Sequence, residues 1–154
     1  MQTQQETQAA KRKTRAQILR DRVVIRLAID EAGPKIGALF VENGIEIPGA
    51  DWSKVFPHWL IACDGDKVIG CLQVMPAKPV AWIQCLQVKP TIQFKLRAIA
   101  IRKLIAAGMS TCHAAGSAVI MATIDARDLK FEGVLTNLNF VHLVDTRLLA
   151  KQLA

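Results

Sequence analysis

The chain has no tyrosine, so no phenol can serve as an acid anywhere in it. From Lys67 to Ile124 it also has no aspartate or glutamate, while Lys67, Lys78, Lys89, Lys95, Arg97, Arg102 and Lys103 fall in that interval. An acid-free stretch of that length suits an anionic ligand and leaves the middle of the chain without a carboxylate general base. The four cysteines show no CxxC pair and no Cys/His spacing that would suit zinc, so no metal is expected. Cys63, Cys71, Cys85 and Cys112 lie in the apolar contexts LIAC, VIGC, WIQC and STCH and read as reduced core residues. His113 follows Cys112, but helical neighbours do not face each other, which argues against a thiol–imidazole pair. No apolar run approaches the roughly 20 residues of a membrane helix, and MQTQQETQAAKRKTR lacks the apolar centre of a secretory signal. A soluble, cytoplasmic protein with no membrane partner is the expectation.

What remains is enough for one core: 154 residues, 51% of them apolar, with a net charge of +7. The first 22 residues hold six basic side chains against Glu6 and Asp21 and read as a polar, basic arm, available to protein partners in an assembly. Residues 23–154 then form the folded domain. VVIRLAI (Val23 to Ile29) predicts a strand, and a helix begins at Asp30 with Ile36, Leu39, Phe40 and Val41 on one side, ending at Gly44. Trp52 and Phe56 are expected to cap the core. HWLIACDGDKVIGCLQVM carries a hairpin signal, two apolar runs joined by Asp64-Gly65-Asp66. VAWIQCLQV (Val80 to Val88) predicts a central strand ended by Pro90.

Beyond Pro90, Ile101, Leu104, Ile105, Gly108, Cys112 and Ala115 fall at helical spacing and define one buried face, closed by Gly116. SAVIMATI (Ser117 to Ile124) predicts a buried strand, Asp125 to Leu138 a helix, NFVHLV (Asn139 to Val144) a last strand, and TRLLAKQLA a short amphipathic tail. The order β-α-β-β-β-α-β-α-β implies a mixed α/β (α+β) fold with a mainly antiparallel central sheet and helices packed on both faces.

These elements, in this order, resemble the GNAT family, the acetyl-coenzyme A-dependent N-acetyltransferases, over roughly residues 23 to 150. IRLAIDEAGPKIGALF is similar to the family's first strand and helix, GDKVIGCLQV to its hairpin, WIQCLQVKP to the strand ending in V-x-P, and LTNLNFVHL to the late Y-x-x-x-G-F element. The resemblance implies that acetyl-CoA lays its pantetheine arm along the main chain of Leu86, Gln87 and Val88. It places the pyrophosphate on amides at the start of the next helix, where the family shows R/Q-x-x-G-x-G/A. Two registers match, Gln93 to Ala98 and Lys95 to Ala100. The second is preferred because it sets Leu104 and Gly116 near the family's helix positions, and it gives Lys95, Leu96, Arg97, Ala98, Ile99 and Ala100 as cofactor-binding residues. In it alanines replace both glycines; in the first, Leu96 replaces a glycine and would obstruct a phosphate.

The family's usual tyrosine acid corresponds to Leu135, and its usual glutamate base lies on a strand that here offers only Trp82, Gln84 and Gln87. No catalytic residue is assigned. Asp125, Asp128, Glu42, Glu46 and His58 could titrate but stand in no catalytic spacing, and His58, His113 and His142 read as ordinary hydrogen-bonded or surface histidines. Two functions follow: acetyl transfer to an amine acceptor, or a catalytically silent binding component of a larger assembly. GNAT-like proteins are also encoded by bacteriophages, and a small domain with a basic arm would suit a virion component. Specific nucleic-acid binding is not expected, because only Phe94 accompanies the basic residues near the helix start.

Overall fold

A computed structural model describes residues 14–123 and 129–141. The first thirteen residues of the arm, Ile124, Asp125 and Asp128, the second half of the expected strand Asn139 to Val144 with His142, and the TRLLAKQLA tail lie outside them.

The chain enters through α1 (Arg15–Arg22), whose first turn is capped by the Thr14 hydroxyl accepting from the Gln17 N–H at 3.2 Å. The end of the arm is thus a helix docked on the domain: Lys103 Nζ donates to the carbonyls of Arg20 and Val23, both at 2.6 Å. Arg22 also grips Asp64 through two bonds of 3.1 and 2.5 Å.

The strands are β1 (Val23–Leu27), β2 (Trp59–Asp64), β3 (Lys67–Met75), β4 (Val80–Val88) and β5 (Val119–Ala122). They lie side by side in chain order, antiparallel from β1 to β4 and parallel between β4 and β5. β2 and β3 are joined as the sequence indicates: Asp64 pairs with Lys67 and Gly65 adopts a φ of 60°, which a glycine takes at no steric cost.

Strand alternation sorts the apolar residues into two layers. Leu60, Ala62, Leu72, Val74, Ala81, Ile83 and Val88 pack against α3 (Phe94–Ala114), which contributes Leu96, Ala100, Leu104, Ile105 and Cys112. Trp59, Ile61, Cys63 and Cys71 face the other way, against Ile36, Leu39 and Phe40 of α2 (Gly33–Glu42). Helices therefore cover both faces, as expected. Gly37 permits a close approach, since a Cβ there would come within 2.9 Å of the Trp52 ring, which sits 5.1 Å from the Phe40 ring. At Gly33 a Cβ would run into the Trp52 carbonyl.

Several sequence expectations are corrected. Val41 is 64% exposed and leaves the buried face of α2, and Phe56 is 55% exposed, so Val55 anchors that loop together with Trp52. Ala115 caps the end of α3 at the surface, and Ile101 is half-buried. β5 is not buried: it ends the described sheet, where one flank has no strand to cover it, and Val119 is 50% exposed. The late helix, α4, spans Leu129–Asn137, and Asn139 takes a φ of 64° after it, so the chain turns there and does not begin a strand.

Candidate functional site

β4 bends where it changes partners. Gln73 of β3 stands opposite Gln84, and Cys71 opposite Gln87, so one residue of β3, Leu72, spans two of β4, Cys85 and Leu86. This is a β-bulge, and Cys85 accommodates it at a φ of 55°, a left-handed conformation uncommon for a residue with a Cβ. On its other edge β4 pairs with β5 only from Val80↔Val119 to Ile83↔Ala122, closed by the Thr123 N–H donating to the Ile83 carbonyl at 3.2 Å. Among the described residues, Gln84 to Val88 have no strand on that side. Within the described residues β4 therefore parts from β5 after Ile83.

The far end of this edge is held firmly. The Lys89 N–H donates to the Ile69 carbonyl at 2.8 Å, and Asn43 Nδ2 donates to both the Leu39 carbonyl at 2.7 Å and the Val88 carbonyl at 3.3 Å. Lys89 also meets Glu42 at 3.4 Å. Pro90 then prevents the strand from continuing, and the chain turns into α3 through an extended Gln93 with no side-chain cap.

The first helical bond of α3 runs from the Arg97 N–H to the Gln93 carbonyl at 3.0 Å. The amides without an intrahelical partner are accordingly those of Gln93, Phe94, Lys95 and Leu96. No acidic residue occupies the first turn, and a helix of 21 residues presents about half a positive charge at this end.

The cofactor-binding residues inferred from sequence fall into three groups. Leu86 and Gln87 are half-buried and Val88 buried, all on the part of β4 beyond its described ladder with β5, and the Val88 carbonyl is taken by Asn43. Lys95 is exposed and Leu96 lies in the first turn with its side chain 5% exposed. Leu96 packs into the α3-side core, so its bulk does not stand over the amides. Arg97, Ala98 and Ile99 are half-buried and Ala100 is fully buried; their amides lie inside the helix, past the first turn. The four free amides coincide with the start of the Gln93 to Ala98 register. Periodicity could not locate this helix start, because Leu96 and Ala100 extend the apolar spacing without a break.

The titratable side chains bring no constellation together. Glu42 is engaged with Lys89, and Asp30 Oδ1 accepts the N–H groups of Val55 and Phe56, both at 2.8 Å. Glu46 lines a separate surface hollow with Phe40, Ile45 and Trp52. His58 and His113 are exposed. Burial raises the thiol pKa of Cys63, Cys71, Cys85 and Cys112, which keeps these side chains protonated and unreactive. Among the described residues no cluster of three metal-binding side chains occurs.

No protein-family model matches the chain, and no curated protein matches it. Solved structures do. An aminoglycoside acetyltransferase from an uncultured soil metagenomic sample, in complex with trehalose, superposes with a TM-score of 0.63 at 17% identity, covering 87% of this chain and 98% of the other. The yncA protein of Salmonella typhimurium, with its cofactor acetyl-CoA, gives a TM-score of 0.63 at 15% identity over 78% of this chain and 80% of its own. A transcriptional regulator from Bacillus halodurans C-125 gives 0.65 at 14% identity over 84% and 99%. The chain has the fold of the GNAT acetyltransferases, as its sequence elements imply.

Proposed function

We propose that the protein binds acetyl-CoA and transfers its acetyl group to an amine. The observation that carries this reading is the continuity of two main-chain features: the edge of β4 from Gln84 onward, which no described strand covers, and, a few residues on, the free amides of Gln93 to Leu96. A pantetheine arm contains amides that can pair with a strand edge, and a pyrophosphate is matched by unpaired N–H groups at a helix start. Leu86 to Val88 would take the first, the opening turn of α3 the second. Lys95 and Arg97 would add positive charge nearby, and Ala98, Ile99 and Ala100 would seat the helix close to the strand.

When bound, the thioester supplies the activated acetyl group. The chain's own part is positioning: the bulge at Cys85 turns β4 outward, and Gln84 presents an uncharged amide beside the split. β4 carries no acid or base, which suits an amine that arrives neutral and loses its proton through water. Correct placement of a reactive thioester and an amine supplies much of the rate by itself.

A second reading is favoured by the same lack of an acid or base: a GNAT-fold binding component of a larger assembly, silent in catalysis. Calorimetry with acetyl-CoA tests the first reading. Micromolar to submillimolar binding is expected, weakened about tenfold by Lys95→Glu, which sets a carboxylate against the helix start. No heat at millimolar acetyl-CoA contradicts it. Binding without turnover on any amine favours the second.

A further inference from the structure

The sheet face turned away from α3 carries one row of side chains in register across three strands. Met75 of β3 lies opposite Trp82 of β4, and Trp82 lies opposite Met121 of β5. Val74, Ala81, Ile83, Ile120 and Ala122, the chain neighbours of these three, all pack toward α3, so alternation turns Met75, Trp82 and Met121 to the opposite face. None of the three belongs to the core that α2 builds on that face. Trp82 remains 37% exposed, and both methionines are half-buried. One row nearer the bulge, Gln84 Nε2 donates to Gln73 Oε1 at 2.7 Å, which orients the Gln84 side chain and leaves its own oxygen as an acceptor.

Two properties of this platform narrow the acceptor. It is apolar, an indole flanked by two thioethers, which suits an aromatic ring. It also carries no carboxylate: β3, β4 and β5 contain none, and they lie within the acid-free, basic interval. An alkylammonium would need a counter-charge to hold it and a base to deprotonate it, and these strands offer neither. An arylamine needs neither, because conjugation of its nitrogen with the ring keeps it neutral at pH 7.

Resting on the acetyl-transfer reading above, we propose that the acceptor is a neutral arylamine, its ring on Trp82 between Met75 and Met121 and its N–H donating to the Gln84 side-chain oxygen. The amine nitrogen forms the C–N bond to the thioester carbonyl carbon. The C–S bond breaks, the sulfur leaves with the electron pair, and the proton lost by nitrogen passes through water to the thiolate. The products are an N-aryl acetamide and free coenzyme A.

Calorimetry on the full chain saturated with coenzyme A tests this, using p-anisidine, neutral at pH 7, against phenethylamine, which is cationic. The expected result is binding of p-anisidine at least tenfold tighter than phenethylamine, lost in Trp82→Ala and kept in Trp82→Phe. The Phe variant separates loss of the ring from loss of the fold. Gln84→Glu should reverse the preference between the two amines. If coenzyme A binds but phenethylamine binds as well as p-anisidine, or Trp82→Ala has no effect, the arylamine assignment is overturned while the cofactor reading stands. If neither coenzyme A nor acetyl-CoA binds, both fall.

Discussion

Cys85 shows how much of the candidate site depends on single residues. Its φ of 55° accommodates the bulge of β4 against β3, just past the point where the described ladder to β5 ends. Such a conformation costs about 1–2 kcal/mol for a residue with a Cβ, and more for a β-branched one. Cys85→Val should therefore lower the melting temperature and weaken acetyl-CoA together, whereas Cys85→Gly should retain the ligand. Equal acetyl-CoA affinity in the two variants would show that the bulge does not shape the cleft.

The thiols make a second prediction at this scale. Burial raises the pKa of Cys71 above the ordinary 9.0, so the folded chain keeps its proton at pH values where the unfolded chain loses it. The associated stability is fully present below about pH 9 and declines above it, by up to about 1.4 kcal/mol per pH unit for this fully buried group. Urea unfolding between pH 7 and 10.5 should show a flat region followed by that fall, and a thiol reagent at pH 8 should leave Cys71 unmodified until the protein unfolds. Gly37 gives a third. With the Trp52 ring 2.9 Å from the site of an added Cβ, Gly37→Ala should cost about 1–3 kcal/mol in urea unfolding, because shifting the ring disturbs its contacts with Phe40 and Trp59.

At the level of elements, legibility followed the source of each element's stability. β4 was readable at its observed bounds, Val80–Val88, because a nearly unbroken apolar run ends at a proline. The β2–β3 hairpin was readable from Asp64-Gly65-Asp66, and the body of α3 from the spacing of Leu104, Ile105, Gly108 and Cys112. The start of α3 was not, and with it the choice of phosphate register, because a helix start is fixed by main-chain bonding at Gln93 and no side chain caps it.

The docking of α1 was also invisible. It has no buried residue; Leu19 rests partly buried against the core, and the rest of its attachment is polar, the Arg22–Asp64 pair and the Lys103 ammonium on two main-chain carbonyls, contacts that leave no apolar pattern in either segment. Lys103→Met should release α1 while sparing the sheet. Hydrogen exchange would then show faster exchange at Arg15–Arg22, with β2, β3 and β4 unchanged; unchanged protection of α1 would contradict that account.

For the molecule as a whole, the described residues leave one region of the sheet without a neighbouring strand, along the outer half of β4 beyond its ladder with β5. The sequence indicated this place through its resemblance to a fold family. The physical reason for it, a ladder that stops at Ile83 while the strand runs on to Val88, appears only when the chain is folded. Of the seven basic residues between Lys67 and Ile124, Lys95 and Arg97 stand at the start of α3, where the free amides also suit an anionic ligand, whereas Lys89 pairs with Glu42 and Lys103 holds α1. The decisive measurement is an amide-resolved NMR titration with acetyl-CoA. Saturable shifts concentrated at Gln84 to Val88 and Gln93 to Leu96 are the predicted result. No shift at millimolar ligand, or shifts confined to a different surface such as the Phe40–Trp52 hollow, would contradict the account.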